Sequence, residues 1–298
     1  MSLARRAVDT PGVTFPHEPP QRALADVPVL RPVSGRAPVG EYMYELWRHR
    51  FFVNERAWSL AVTQNRGMLL GNLWLILNPL TDAAVYLVIF GVLFASGVPN
   101  FPAYLIIGIS VFNITNRNVT SAAGCVQSSS GLIRAFSFPR AALPIASCIR
   151  NAIESIPSVL VMLLLTIPFV GAPGAAVLVL PLVLVVHFGF DLGLAFIAAR
   201  LGSDIPDMKR VIPTVFRFLM YGSAITFSIQ RYEAVPWLAT LVRHNPIYLM
   251  VDAYRQGLLN KTVPTPGAWL ELAGWMLGCL LFGFWWFWRG EVNYGRPE

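Results

Sequence analysis

Six apolar runs, each near the ~20 residues that an α-helix needs to cross hydrocarbon, limit what this chain can become. They fall at about Leu73–Ser96, Ala103–Cys125, Leu143–Val170, Ala175–Ala199, Val211–Ile229 and Ala268–Trp288. Backbone polar groups inside lipid must be satisfied within the chain, so runs of this length read as spanning helices. Composition agrees: of 298 residues, 55% are hydrophobic and only 13% charged, with a mean hydropathy of +0.55. A soluble domain carries about a quarter charged residues. The fold class is an all-α integral membrane protein with six spans.

The net charge of +7 is carried almost wholly by arginine, and in a membrane protein such an excess reports orientation. Nine arginines precede the first span, and Arg134, Arg140, Arg200, Lys209, Arg210, Arg289 and Arg296 lie near ends facing the same side. Both termini are therefore expected to be cytoplasmic. No basic stripe on a soluble face marks a nucleic-acid partner. Cys125, Cys148 and Cys279 have no CxxC spacing, so they read as small packing residues rather than metal ligands. No early apolar core with a cleavage site marks a signal peptide.

Residues 1–40 are proline-rich and lack apolar periodicity, which reads as a flexible cytoplasmic tail. Over 41–66, Met43, Trp47 and Phe51 recur at i, i+4, i+8, as in an amphipathic helix lying on the membrane surface. The spanning core covers 67–289, and 290–298 form a short cytoplasmic tail. Between the last two spans, Asn245 offers a cap and Pro246 the first helical position. Ile247, Met250, Val251, Tyr254 and Leu258 follow as one stripe, and Trp237, Leu238, Leu241 and Val242 mark a shorter helix before it. Such a helix pair either re-enters the membrane or lies at its outer surface.

No GxxxxGK[ST], GxSxG or HExxH occurs, so phosphate-loop ATPase, hydrolase and zinc-protease chemistries have no signature here. The informative groups are the ionisable residues within spans, each expensive there without a partner or water. Asp82–Arg117 and Arg150–Glu154 are candidate pairs, and His187 lies one turn from Asp191. They either line an inner vestibule or neutralise one another to hold helices in register. Asn113, Asn116, Arg117 and Thr120 make a polar stripe on the second span, facing water or other helices. Trp74, Tyr86 and Phe90 on the first span either offer aromatic faces to sugar rings or meet lipid.

Between the second and third spans, "SSSGLIRAFSFPRAALPIASC" (Ser128–Cys148) places a short basic segment on the arginine-rich side. Its serines offer an N-cap and Pro139 forces Phe138 out of the helical region. A helix of about two turns results, exposing Leu132, Ile133, Phe136 and Phe138 with Arg134 and Arg140 at its edges. It either presses into another protein or lies on lipid headgroups.

Three blocks resemble the ABC-2 type permeases that export O-antigen, teichoic acid and related polysaccharides. "GMLLGNLWLILNPLTDAAVYLVIFGVLF" (Gly67–Phe94) is similar to the first span of that family. "LIRAFSFPRAALPIA" (Leu132–Ala146) is similar to its coupling helix, and "NPIYLMVDAYRQGLL" (Asn245–Leu259) to the block before its last span. The resemblance implies a half-transporter of the bacterial plasma membrane, with no cofactor of its own. A second copy completes the pathway, and separate ABC ATPase subunits bind ATP and magnesium. Leu132, Ile133, Arg134, Phe136, Phe138, Pro139 and Arg140 would couple to the ATPase. Trp74, Asp82, Tyr86, Phe90, Asn113, Asn116, Arg117 and Thr120 would line the path of a lipid-linked polysaccharide, with membrane lipid around it. Trp237, Asn245, Pro246, Tyr254 and Arg255 would sit at an external gate formed by re-entrant helices. Arginine-rich, lysine-poor usage points within the family to export of a cell-wall galactan in mycolic-acid bacteria. The rivals are the same fold moving a drug or lipid, an intramembrane glycan-transferring enzyme using Asp82, Glu154 or His187–Asp191, and a passive channel.

Overall fold

The structure, a computed structural model, describes residues 38–63, 70–86, 88, 100–172 and 174–294. Eleven α-helices follow one another there: α1 (Val39–Arg48), α2 (Arg50–Thr63), α3 (Trp74–Tyr86), α4 (Phe101–Ser128), α5 (Ser130–Ala135), α6 (Ala142–Val170), α7 (Leu180–Asp204), α8 (Met208–Gly222), α9 (Pro236–Arg243), α10 (Pro246–Arg255) and α11 (Pro266–Gly290). Short 3-10 or π turns adjoin several of them, and the described residues contain no strand. The expected tail lies, as far as residue 37, outside the described residues.

Instead of one amphipathic helix over 41–66, two helices form, with a break at His49. The His49 backbone N–H and its ring Nδ1 both reach the Glu45 carbonyl, the ring at 2.8 Å, which tightens the turn and ends α1. Residues 64–69 lie outside the described residues. Met43, Trp47 and Phe51 do share an exposed face, as their spacing requires. The Arg50 guanidinium covers the Trp47 and Phe51 rings at 5.1 and 4.5 Å.

Among the described residues, three segments are long and apolar enough to cross a membrane: Ala142–Val170, Ala175–Asp204 and Pro266–Asn293. α4, with 28 residues, is about 42 Å long; its polar side chains, not its length, lower its hydropathy. α3 is the described part of the first expected span. The Tyr86 side chain and Phe90 lie outside what is described.

The fifth expected span, Val211–Ile229, is not one helix. α8 stops at Gly222, and Ser223, Ala224, Ile225 and Thr226 follow as fully buried non-helical chain. Ala224 adopts a positive φ of 47°. Periodicity cannot show this break, because what holds it open comes from α10.

The capping expectation for α10 holds in detail. Asn245 Oδ1 accepts the Ile247 N–H at 2.9 Å, with Pro246 at the first helical position. Ile247, Met250, Val251, Tyr254 and Leu258 are buried. The last four join Ile107, Val111, Met162, Val183, Phe190 and Leu272 in a core shared by α4, α6, α7, α10 and α11, and Ile247 joins Leu105, Ile109 and Phe112 in a second one. At the centre, α7 packs on two neighbours at backbone distance. A methyl group at Gly202 would overlap the Ala123 carbonyl oxygen of α4, and one at Gly283 of α11 would overlap the Gly193 carbonyl oxygen of α7. Small residues at crossings permit this approach in membrane helices.

Candidate functional site

Where α4 ends and α6 begins, the chain turns through α5. Ser129 occupies the N-cap position, but its hydroxyl does not cap α5; it accepts a hydrogen bond of 2.8 Å from Arg56 Nη2 on α2. α5 ends at Phe136, whose backbone is extended (φ −136°, ψ 142°), in keeping with the bar that Pro139 sets on Phe138. The segment is far less exposed than its composition implies. Leu132 and Ile133 are half-buried against the cluster of Tyr42, Leu143 and Phe287. The Phe138 ring leans on Phe52 of α2, with centroids 5.4 Å apart, and Pro139 is buried.

Arg140 corrects the expectation of a second outward basic edge. Its backbone N–H donates to Glu291 Oε1 at 2.9 Å and its guanidinium to the Glu291 carbonyl. The next N–H, on Ala141, donates to Tyr42 Oη at 2.9 Å. Burial, with the Glu291 carboxylate beside it, pushes the Tyr42 phenol above its ordinary range. It therefore stays a neutral hydroxyl. Arg134 and Phe136, the latter 66% exposed, remain as the projecting tip. α1 and the turn after α11 clasp the base of that tip.

Glu291→Ala is expected to loosen the clasp, costing about 1 kcal/mol for the lost hydrogen bond to a half-buried donor. Protease cleavage after Arg140 should then rise severalfold; unchanged cleavage and thermal midpoint would show the clasp to be idle.

A cavity of about 280 Å³ opens between α3, α4 and α6, lined by Asn78, Pro79, Asp82, Ala83, Ile106, Ile109, Ser110, Asn113, Arg117 and Ser158. It gathers Asp82, Asn113 and Arg117 from the sequence candidates. Asp82 and Arg117 face the same space without pairing directly. Asn113 Nδ2 donates to Asp82 Oδ2 at 3.1 Å, whereas Arg117 reaches its own helix at the Asn113 carbonyl and Ser158 Oγ, each at 3.4 Å. With one carboxylate, one guanidinium, amides and hydroxyls, the pocket can hydrogen-bond a hydroxyl-rich ligand. Asn78 and Ser110 are within reach of sequence reasoning, as each lies a helical turn from Asp82 or Asn113; Ser158 is not. Asn116 is engaged by Thr120 Oγ1 on its own helix at 3.2 Å. Trp74 is 38% exposed at the other end of α3.

The other face of α4 is polar too. Thr115 Oγ1 lies 2.7 Å from His187 Nε2, and Asn118 Nδ2 donates to Asp191 Oδ2 at 2.6 Å. The Tyr254 hydroxyl completes the set, 3.2 Å from His187 Nδ1. His187 and Asp191 stand 3.6 Å apart, beyond hydrogen-bond length, so each is held by other helices rather than by the other. Arg150 and Glu154 do form the expected ion pair, at 3.5 Å.

Tyr254 and Arg255, expected at an external gate, are 1% and 2% exposed. Arg255 donates to the carbonyls of Ala224 and Ile225 at 3.0 Å each and of Tyr104 at 3.3 Å. Its guanidinium also lies 3.3 Å from the Tyr104 ring centroid. With the Tyr104 hydroxyl, which also reaches the Ala224 carbonyl at 3.0 Å, it satisfies the carbonyls that the broken end of α8 leaves bare, as buried non-helical chain requires. Trp237, by contrast, is 70% exposed.

A bundle of long apolar helices with a clasped, outward-pointing peg at one end marks an integral membrane protein. Residues 58–259 match the ABC-2 type transporter family, and the chain belongs to it. It is similar to the O-antigen export system permease protein RfbA of Myxococcus xanthus, at 21% identity over 77% of this chain and 88% of that one. The permease of the same description from Klebsiella pneumoniae is 22% identical over 66% of this chain and 76% of its own. The polysialic acid transport protein KpsM of Escherichia coli is 27% identical over 64% and 74%.

Proposed function

We propose that this chain is the membrane permease subunit of a transporter that exports a lipid-linked polysaccharide, O-antigen- or galactan-like, across the bacterial plasma membrane. Two copies form the pathway, both termini face the cytoplasm, and two separate ATPase subunits bind ATP and magnesium below. Family membership and similarity to O-antigen and polysialic acid export proteins support this reading. The observation that carries the mechanism is the peg: Arg134 and Phe136 project from a segment whose base is tied to α1, α2 and the end of α11. An exposed aromatic beside a guanidinium is the chemistry of an anchor in a partner's pocket. The polar cavity between α3, α4 and α6 fits contact with cargo hydroxyls.

In proteoliposomes holding permease and ATPase, a lipid-linked glycan should stimulate ATP hydrolysis, and a small hydrophobe should not. The reverse preference would favour a drug or lipid exporter. Arg134→Glu should leave the permease folded and inserted yet cut retention of the ATPase by at least about tenfold, as loss of an interface anchor of ~1.4 kcal/mol or more does. Unchanged retention and export would remove the peg from the mechanism.

A further inference from the structure

α8 carries two exposed arginines that nothing described so far uses. Arg210, Thr214, Arg217 and Tyr221 recur at i, i+4, i+7, i+11, and all four are exposed. On a helix this spacing is a single stripe. Beside it run Val211, Val215 and Phe218, 42%, 46% and 75% exposed, while Ile212 and Phe216 are buried. α8 thus has a packed face, an outward apolar face and, along the edge of the latter, a cationic one.

The depth of the stripe is set by the neighbour. Phe216 packs on Phe112, ring centroids 5.8 Å apart, and Phe112 lies near the middle of α4. Lys209 rests over Gly124 toward one end of α4, and Ile225 over Gly108 toward the other. Arg217 therefore stands about halfway along the bundle, roughly 10 Å beyond Arg210. Neither guanidinium has a side-chain partner among the described residues. An unpaired arginine at such depth faces water, a ligand or another chain rather than lipid tails.

We propose that this edge of α8 binds the phosphate headgroup of a lipid, with Arg217 and Arg210 pairing to its oxygens and Val211, Val215 and Phe218 lying along its tail. Two positive charges with no ion pair among the described residues, not even to Asp207 three residues before Arg210, call for an oxyanion, and guanidinium suits phosphate by charge and by fork geometry. The adjoining apolar strip selects an amphiphile over a soluble acidic polymer. As a contact for cargo, this rests on the export reading; as a lipid-phosphate site, it stands on α8 alone.

The test uses the full-length permease in phosphatidylcholine nanodiscs doped with a polyprenyl diphosphate or with phosphatidylglycerol. Native mass spectrometry counts the lipids retained, with and without inorganic diphosphate as competitor. Wild type should hold the polyprenyl diphosphate, and Arg210→Gln with Arg217→Gln should hold at least about tenfold less, as expected for lost charged hydrogen bonds. Arg231→Gln should match wild type, and Arg217→Lys should keep part of the retention. Preferential loss of polyprenyl diphosphate names a carrier-type lipid as the source. Equal loss of phosphatidylglycerol names the surrounding membrane, and displacement by inorganic diphosphate shows that the headgroup alone is recognised. Undiminished retention of both lipids in a double variant with a wild-type thermal midpoint overturns the proposal. So does a loss that accompanies conversion of dimer to monomer, since the arginines would then serve a second copy. No glycan or ATPase enters the assay, so its failure leaves the export reading standing, and failed glycan export leaves lipid retention untouched.

Discussion

Arg255→Met should leave little folded permease: a collapsed thermal midpoint by tryptophan fluorescence and a heterogeneous size-exclusion profile in detergent. Three hydrogen bonds from one buried guanidinium, to the carbonyls of Ala224, Ile225 and Tyr104, are lost together, and the Ala224 carbonyl keeps only the Tyr104 hydroxyl at 3.0 Å. Each hydrogen bond from a charged group contributes about 1.5–3 kcal/mol, a large sum against the ~5–15 kcal/mol that holds a typical protein folded. Arg255→Lys should recover only part of it, because one ammonium on a flexible stem does not reproduce the planar fork. Gly108→Ala offers an independent probe from α4. Its methyl group would stand 2.5 Å from Arg255 Nη2, displacing the guanidinium without removing it. A Met variant melting within a few degrees of wild type would show that the broken end of α8 needs no such donor.

Gly193→Leu should be comparably damaging by a different route. A side chain there would meet the Leu280 nitrogen at 2.5 Å and the Cys279 carbonyl oxygen at 2.6 Å. Backbone cannot swing aside as a side chain does, so α7 and α11 must separate. The expected loss is about 3 kcal/mol or more, the upper end for overpacked cores. The control lies on the facing helix, α11: a methyl group added at Gly278 would meet nothing within 4 Å. Gly278→Ala should be neutral or stabilise α11 by up to ~1 kcal/mol. Equal midpoints for the two variants would mean that the crossing is not close-packed.

These two sites show where sequence reasoning works and where it stops. Features set by neighbours along the chain are legible. Asn245 caps α10 because its side chain reaches an amide two residues away, and Arg150 meets Glu154 because four residues make one helical turn. Features set across the bundle are not. Asp191 takes its hydrogen bond from Asn118, 73 positions away, and Arg140 donates to Glu291, 151 positions away. Periodicity says which residues share a face and not which helix that face meets. Hence Val211–Ile229 reads as one span, since the donor that stabilises its interruption sits on α10. Arg140 reads as an outward charge for the same reason. The polar character of α4 is half visible: Asn113 and Arg117 stand out, while Thr115 and Asn118, on the opposite side, look like ordinary interior residues.

The clasp around Ala141 has a mechanical meaning. Glu291 follows α11, Tyr42 belongs to α1, and both grip consecutive amides at the root of the peg. A push delivered at Phe136 cannot be absorbed by a yielding loop, because there is no slack at its foot. On the coupling proposed above, a load on the peg would pass to α1 and to the end of α11 together rather than to one loop.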